Sequence, residues 1–148
     1  MLQTSRKTFI TTVTLLSLLA ATSLAADAPD LVNMPASEMA WEKTVEGVSF
    51  APLQGDRFKE AYSAMVRLPA GLVSPPQIKS ANMYGMVISG TLVNVAAGGL
   101  ASAEIELPTG SYYKIPAGFP HVSKCISKTD CVTFIYQDGK FDFLPAVR

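Results

Sequence analysis

From Trp41 onward the apolar residues fall in short runs of strand length, each stopped by glycine or proline. Residues 48–53 end at Gly55-Asp56, and residues 61–68 end at Pro69-Ala70-Gly71. Residues 83–89 are mostly apolar at both odd and even positions, which predicts a strand covered on both faces, in a sandwich or against a second subunit. Gly90 separates that run from a further strand at 91–95. Residues 104–107 alternate polar and apolar, as a half-buried strand does. Turns at Pro108-Thr109-Gly110, Pro116-Ala117-Gly118 and Asp138-Gly139 then delimit strands at 111–115, 122–126, 132–136 and 141–144. No window carries a 3.6-residue period of helical length. Short strands punctuated this regularly predict a single all-β domain, a sandwich or barrel.

The first 25 residues follow a different grammar. Arg6 and Lys7 precede an apolar stretch at 9–19, and Ser23-Leu24-Ala25 offers small residues where a signal peptidase reads. That is the three-part layout of a secretory signal peptide, and the apolar stretch is shorter than the roughly 20 residues a membrane span needs. The expected organisation is a signal peptide at 1–25, an extended lead-in at 26–40 containing Pro29 and Pro35, and one domain at 41–148. An exported protein, periplasmic or extracellular and without a membrane segment after cleavage, is the expectation.

Charge narrows the partners. The chain carries 12 basic and 12 acidic residues. Removing residues 1–25 takes Arg6 and Lys7 and no acidic residue, leaving 10 basic against 12 acidic, a net of −2. Such a surface excludes a strongly basic nucleic-acid binder. Export also changes how Cys125 and Cys131 are read. Five residues, mostly polar, separate them between two β-like runs, and an oxidising compartment would preserve a disulfide across a hairpin there. Two separate buried thiols are the alternative. The single histidine, His121, excludes any site built from several imidazoles.

Two segments have informative spacing. Gly71 is followed at fixed intervals by Gln77, Lys79, Met83 or Tyr84, and Gly90; Gly110 is followed by Pro116, Gly118 and His121. These spacings resemble the two cupin motifs, G-x5-H-x-H-x3-4-E-x6-G and G-x5-P-x-G-x2-H-x3-N. The second motif is matched through His121, whereas the ligand positions of the first are replaced. Trp41, Phe50-Ala51-Pro52-Leu53, the two cysteines and Phe141-Asp142-Phe143 are similar to a group of exported single-domain cupin-like proteins. The resemblance implies a double-stranded β-helix, the jelly-roll barrel of the RmlC-like cupins, with a pocket inside and compatibility with a homodimer.

In the family, three imidazoles and one carboxylate converge on a divalent ion. Residues i and i+2 of a strand share a face, which is why the paired histidines are two apart. Here those positions read Gln77 and Lys79, the carboxylate position reads Met83 or Tyr84, and His121 alone is retained. Amide, thioether and one imidazole are a poor donor set for Fe, Mn or Zn, and an ammonium repels the ion. The expected pocket therefore comprises Gln77, Lys79, Met83, Tyr84 and His121, holds a small molecule, with the Lys79 charge suited to an anionic one, and needs no metal cofactor. Tyr113 is a further hydroxyl that a neighbouring strand could add. The alternative is an enzyme, either metal-dependent with unusual ligands or a metal-free isomerase or lyase. There Lys79 and His121 are the candidate catalytic residues, since a desolvated lysine supports base or Schiff-base chemistry.

Overall fold

A computed structural model describes residues 31–146; the expected signal segment 1–25 and the first part of the lead-in lie outside the described residues. The period-two alternation becomes eleven strands: β1 (Glu42–Lys43), β2 (Ser49–Gln54), β3 (Tyr62–Leu68), β4 (Gln77–Ile78), β5 (Met83–Ser89), β6 (Thr91–Ala96), β7 (Glu106–Pro108), β8 (Tyr112–Ile115), β9 (His121–Cys125), β10 (Cys131–Gln137) and β11 (Leu144–Pro145). Within the lead-in, Ala36–Glu38 forms an exposed 3-10 turn. One sheet has the order β1-β2-β3-β10-β5-β8 and the other β11-β4-β9-β6-β7. All named pairings are antiparallel. This is the expected all-β jelly roll.

The core lies between the two sheets, because alternate residues of the long strands point there. In β3 these are Tyr62, Ala64, Val66 and Leu68; in β10 they are Cys131, Thr133, Ile135 and Gln137. Phe50, Val87, Leu92, Tyr113 and Ile115 complete the cluster from other strands. Gly85 in β5 pairs with Tyr113 in β8, and a Cβ on Gly85 would collide with the tyrosine ring. The missing side chain makes room for the aromatic one.

One expectation about β-strand neighbours is corrected. The segments flanking the cysteines do not form a hairpin: β9 belongs to the five-stranded sheet and β10 to the six-stranded one. The Cys125–Cys131 disulfide, with Cα atoms 5.7 Å apart, therefore ties a corner where the chain changes sheets. The β5-to-β6 connection changes sheets at the same place, through Gly90 at φ +82°. A Cβ there would lie 2.9 Å from the Cys131 sulfur, so both backbone conformation and space select glycine. Within this chain β5 is covered on one face. Val87 is buried, whereas Met86 and Ile88 are each 46% exposed on the outer face beside Phe134 and Tyr136.

Two strand boundaries also shift. Residues 104–105 precede β7, leaving Ile105 exposed, and the expected strand at 141–144 is irregular until β11 begins at Leu144. The irregular part is pinned to the domain. The Phe141 amide donates to the Arg57 carbonyl, and the Ser80 amide donates to the Asp142 carboxylate at 3.0 Å. Held this way, residues 141–143 form a wall of the interior space.

Candidate functional site

Between the sheets a cavity of about 120 Å³ remains unfilled. Phe50, Val66, Leu68, Leu92, Ile135 and Phe141 contribute apolar wall. The exposed lining residues Glu46, Val73 and Pro75 mark its mouth. The polar contributions come from few positions. Gln77 begins β4 and Lys79 follows two residues later, so both side chains take the inward face, at 6% and 5% exposure. The Gly118 amide donates to the Lys79 carbonyl at 2.8 Å and fixes the backbone there.

Lys79 is the unusual group. Its Nζ donates to the Asp142 carbonyl at 2.6 Å and lies 4.4 and 5.1 Å from the ring centres of Phe141 and Phe143. Among the described residues the ion pairs are Arg57–Glu42, Lys59–Asp56 and Lys124–Glu104; none involves Lys79. Burial pulls the Lys79 ammonium down to about 8, while the more distant charges of Asp142 and Glu46 act in the opposite direction. An almost fully buried amine thus has one carbonyl and two aromatic faces in place of a counter-ion.

Other buried polar atoms around it are incompletely paired. Tyr62 Oη, Gln77 Oε1 and Gln137 Oε1 have no hydrogen-bond partner among the described residues. Gln77 Nε2 donates to Ser74 Oγ at a long 3.3 Å, and Gln137 Nε2 donates to the Lys140 carbonyl at 2.6 Å. Burial raises the Tyr62 phenol well above its ordinary range. A second group of lining residues is different. Thr133 Oγ1 donates to the Met86 carbonyl at 2.9 Å, so its single hydrogen is used and it accepts from Tyr113 Oη at 3.0 Å. Burial pushes the Tyr113 phenol up to about 12.

The expected pocket residues separate into three groups. Gln77, Lys79 and Met83 line the cavity, as does Tyr113. His121 pairs with Gln77 across β4 and β9 and is 1% exposed, yet it is not a cavity-lining residue. Its Nδ1 lies 3.0 Å from the Phe119 carbonyl, which can only accept, so Nδ1 carries the proton. Nε2 is then a bare, buried acceptor without a partner among the described residues. Desolvation lowers the His121 pKa, with the nearby Lys79 charge adding to that shift.

Tyr84 does not belong to the pocket, contrary to expectation. It follows the inward Met83 by one residue and so faces outward, stacked against Tyr136 at 6.2 Å and beside Lys114. Tyr62, Thr133, Gln137, Phe141 and Phe143 line the cavity but escaped the sequence reading. A polar residue at an inward position of an alternating strand was the available signal for Thr133 and Gln137.

The set does not fit the divalent ion that the cupin motifs serve. Among the described residues, no group of three His, Cys, Asp or Glu side chains is placed to hold a metal. At the motif positions, His121 offers one nitrogen, Gln77 one amide oxygen and Met83 a thioether, while Lys79 places a positive charge among them.

Comparison with known proteins follows this geometry. Residues 49–147 match a family described as a domain of unknown function (DUF4437). The chain belongs to this family of cupin-like proteins. Comparison with curated protein sequences finds no match. The solved structures similar to this cupin include the polyketide cyclase RemF from Streptomyces resistomycificus, at TM-score 0.66 and 13% identity, covering 80% of this chain and 87% of that one. An RmlC-like cupin from Shewanella frigidimarina gives TM-score 0.58 and 13% identity over 71% and 87% of the two chains. A sugar phosphate isomerase of a cupin superfamily from Silicibacter pomeroyi gives 0.58 and 20% identity over 72% and 75%. At these identities the likeness establishes the cupin fold alone.

Proposed function

We propose that this cupin binds a small molecule with an anionic head and an apolar body in its interior cavity, anchored by Lys79 and without a divalent metal. The observation that carries this reading is the buried Lys79 amine with no carboxylate within ion-pair distance among the described residues. An isolated buried charge is costly, and a bound carboxylate or phosphate supplies the missing partner. Below pH 8 Lys79 is mainly charged and able to play that part. The apolar walls suit the body of the ligand, and a few convergent polar groups orient it, as in small-molecule sites generally. Gln77, Tyr62 and Gln137 each carry an atom lacking a partner among the described residues.

Export is part of the same proposal. Its support is the layout of residues 1–25 and the Cys125–Cys131 disulfide, a bond that persists in oxidising compartments. An intact mass beginning at Ala26 supports export, and a retained leader on secreted or periplasmic material contradicts it.

The binding test uses the mature chain and simple carboxylates, butyrate and benzoate, titrated by heteronuclear NMR at pH 7. The expected result is saturable shifts of cavity residues, weakened about tenfold or more in Lys79→Met. Elemental analysis runs beside it. Unperturbed cavity signals, or a stoichiometric transition metal lost in His121→Ala, contradict the reading.

A further inference from the structure

We propose that Lys79 is also a nucleophile, whose Nζ condenses with the carbonyl carbon of a small aldehyde or ketone in the cavity to form an imine. This deepens the reading above and rests on the ligand reaching Lys79. It narrows the ligand class to carbonyl compounds, with short 2-oxo acids joining the carbonyl to an anionic head.

Three features of the site favour this chemistry. Lys79 lines the cavity, and no carboxylate locks its nitrogen in an ion pair among the described residues. Among the described residues its one side-chain hydrogen bond goes to the Asp142 carbonyl, a partner that accepts from amine and ammonium alike. That bond and the Phe141 and Phe143 rings, with centres 4.4 and 5.1 Å away, hold the nitrogen at the cavity. The largely apolar walls offer water few partners beside it, which favours the dehydrated imine over its hydrated precursor.

The step balances without any oxidant or reductant. The Nζ lone pair forms the C–N bond while the carbonyl π pair moves to oxygen. The two protons lost from nitrogen end on that oxygen, relayed through water at the mouth, and the C–O bond breaks to release water. A desolvated lysine is an established source of such an amine, and burial sets Lys79 in that class. The titratable groups facing it are Asp142 of the 141–143 wall, Glu46 at the mouth, His121 of β9, Tyr62 of β3 and Tyr113 of β8. Asp142 is occupied with the Ser80 amide, and His121 is held by the Phe119 carbonyl.

The test treats the mature protein with pyruvate, and separately with propanal, at pH 7.5 in the presence of cyanoborohydride. Peptide mapping then compares reductive alkylation at Lys79 with that at Lys128, an exposed lysine in no ion pair among the described residues. The expected result is labelling at Lys79 faster by about tenfold or more than at Lys128, despite its burial, because far more of its amine is neutral. The adduct should disappear in Lys79→Met, whose fold is checked by its NMR spectrum. Labelling at Lys79 no faster than at Lys128 overturns the proposal. Pyruvate that perturbs the cavity reversibly without forming the adduct overturns imine formation and leaves anion binding standing. No perturbation and no adduct overturn both.

Discussion

Two groups of buried polar residues along the cavity are treated in opposite ways. Tyr113 on β8 donates to Thr133 on β10, and Thr133 donates to the Met86 carbonyl, a short chain that ends inside the protein. Around Lys79, among the described residues, the amine lacks a counter-ion and Tyr62, Gln77 and Gln137 each carry an unpaired atom. The first arrangement resembles a structural network, complete without any visitor. The second is the arrangement of a site, since unpaired buried groups cost folding energy that a ligand can return.

The comparison can be broken most forcefully from the framework side. Gly85→Ala drives a methyl into the Tyr113 ring between paired strands, and urea unfolding should show a loss of about 3 kcal/mol. A loss below about 1 kcal/mol would mean the Tyr113 wall is softer than its hydrogen bonds imply. From the site side the sign reverses. Lys79→Met replaces an unpaired buried charge by an apolar side chain of similar length and should stabilise the domain by about 1–3 kcal/mol at pH 7 while removing ligand binding. Destabilisation would show that the amine is structural.

Lys79 and the buried phenols leave different pH signatures. Lys79 has a folded value near 8, so between pH 8 and the ordinary lysine range the unfolded chain holds more protons and stability rises with pH. Tyr113 has a folded value near 12 and burial raises Tyr62 as well, so above about pH 10 the unfolded chain holds fewer protons and stability falls with pH. Denaturant midpoints measured across this range should rise and then fall, and the rise alone should vanish in Lys79→Met. The smallest effects sharpen the contrast. Thr133→Val strands the Tyr113 hydroxyl and should cost about 2 kcal/mol, whereas Gln77→Leu removes a poorly paired amide and should cost less than about 0.5 kcal/mol.

Much of the framework was legible from local pattern. The run at 83–89 is β5 residue for residue, and the alternation around Tyr112-Tyr113 leaves one ring outside and one within. Gln77 and Lys79 were reached because a strand puts residues two apart on one face. What escaped depends on contacts distant in sequence. A short polar turn between two β-like segments does not reveal whether they share a sheet, so the β9–β10 corner read as a hairpin. The 141–143 segment has strand-like composition, but its bonds to Arg57, Ser80 and Lys79 hold it as an irregular wall. Tyr84 was misplaced because two motif spacings one residue apart point to opposite faces. His121 paired with Gln77 as its motif implies, yet stands behind the lining, a distinction that depends on packing.

The central claim is that Lys79 is a buried amine awaiting a partner. The direct measurement is its titration in the ligand-free mature protein, followed through the lysine side-chain resonances by heteronuclear NMR and assigned by the signal missing in Lys79→Met. The account predicts a midpoint near pH 8, well separated from the surface lysines. A Lys79 midpoint among those of the surface lysines would contradict it.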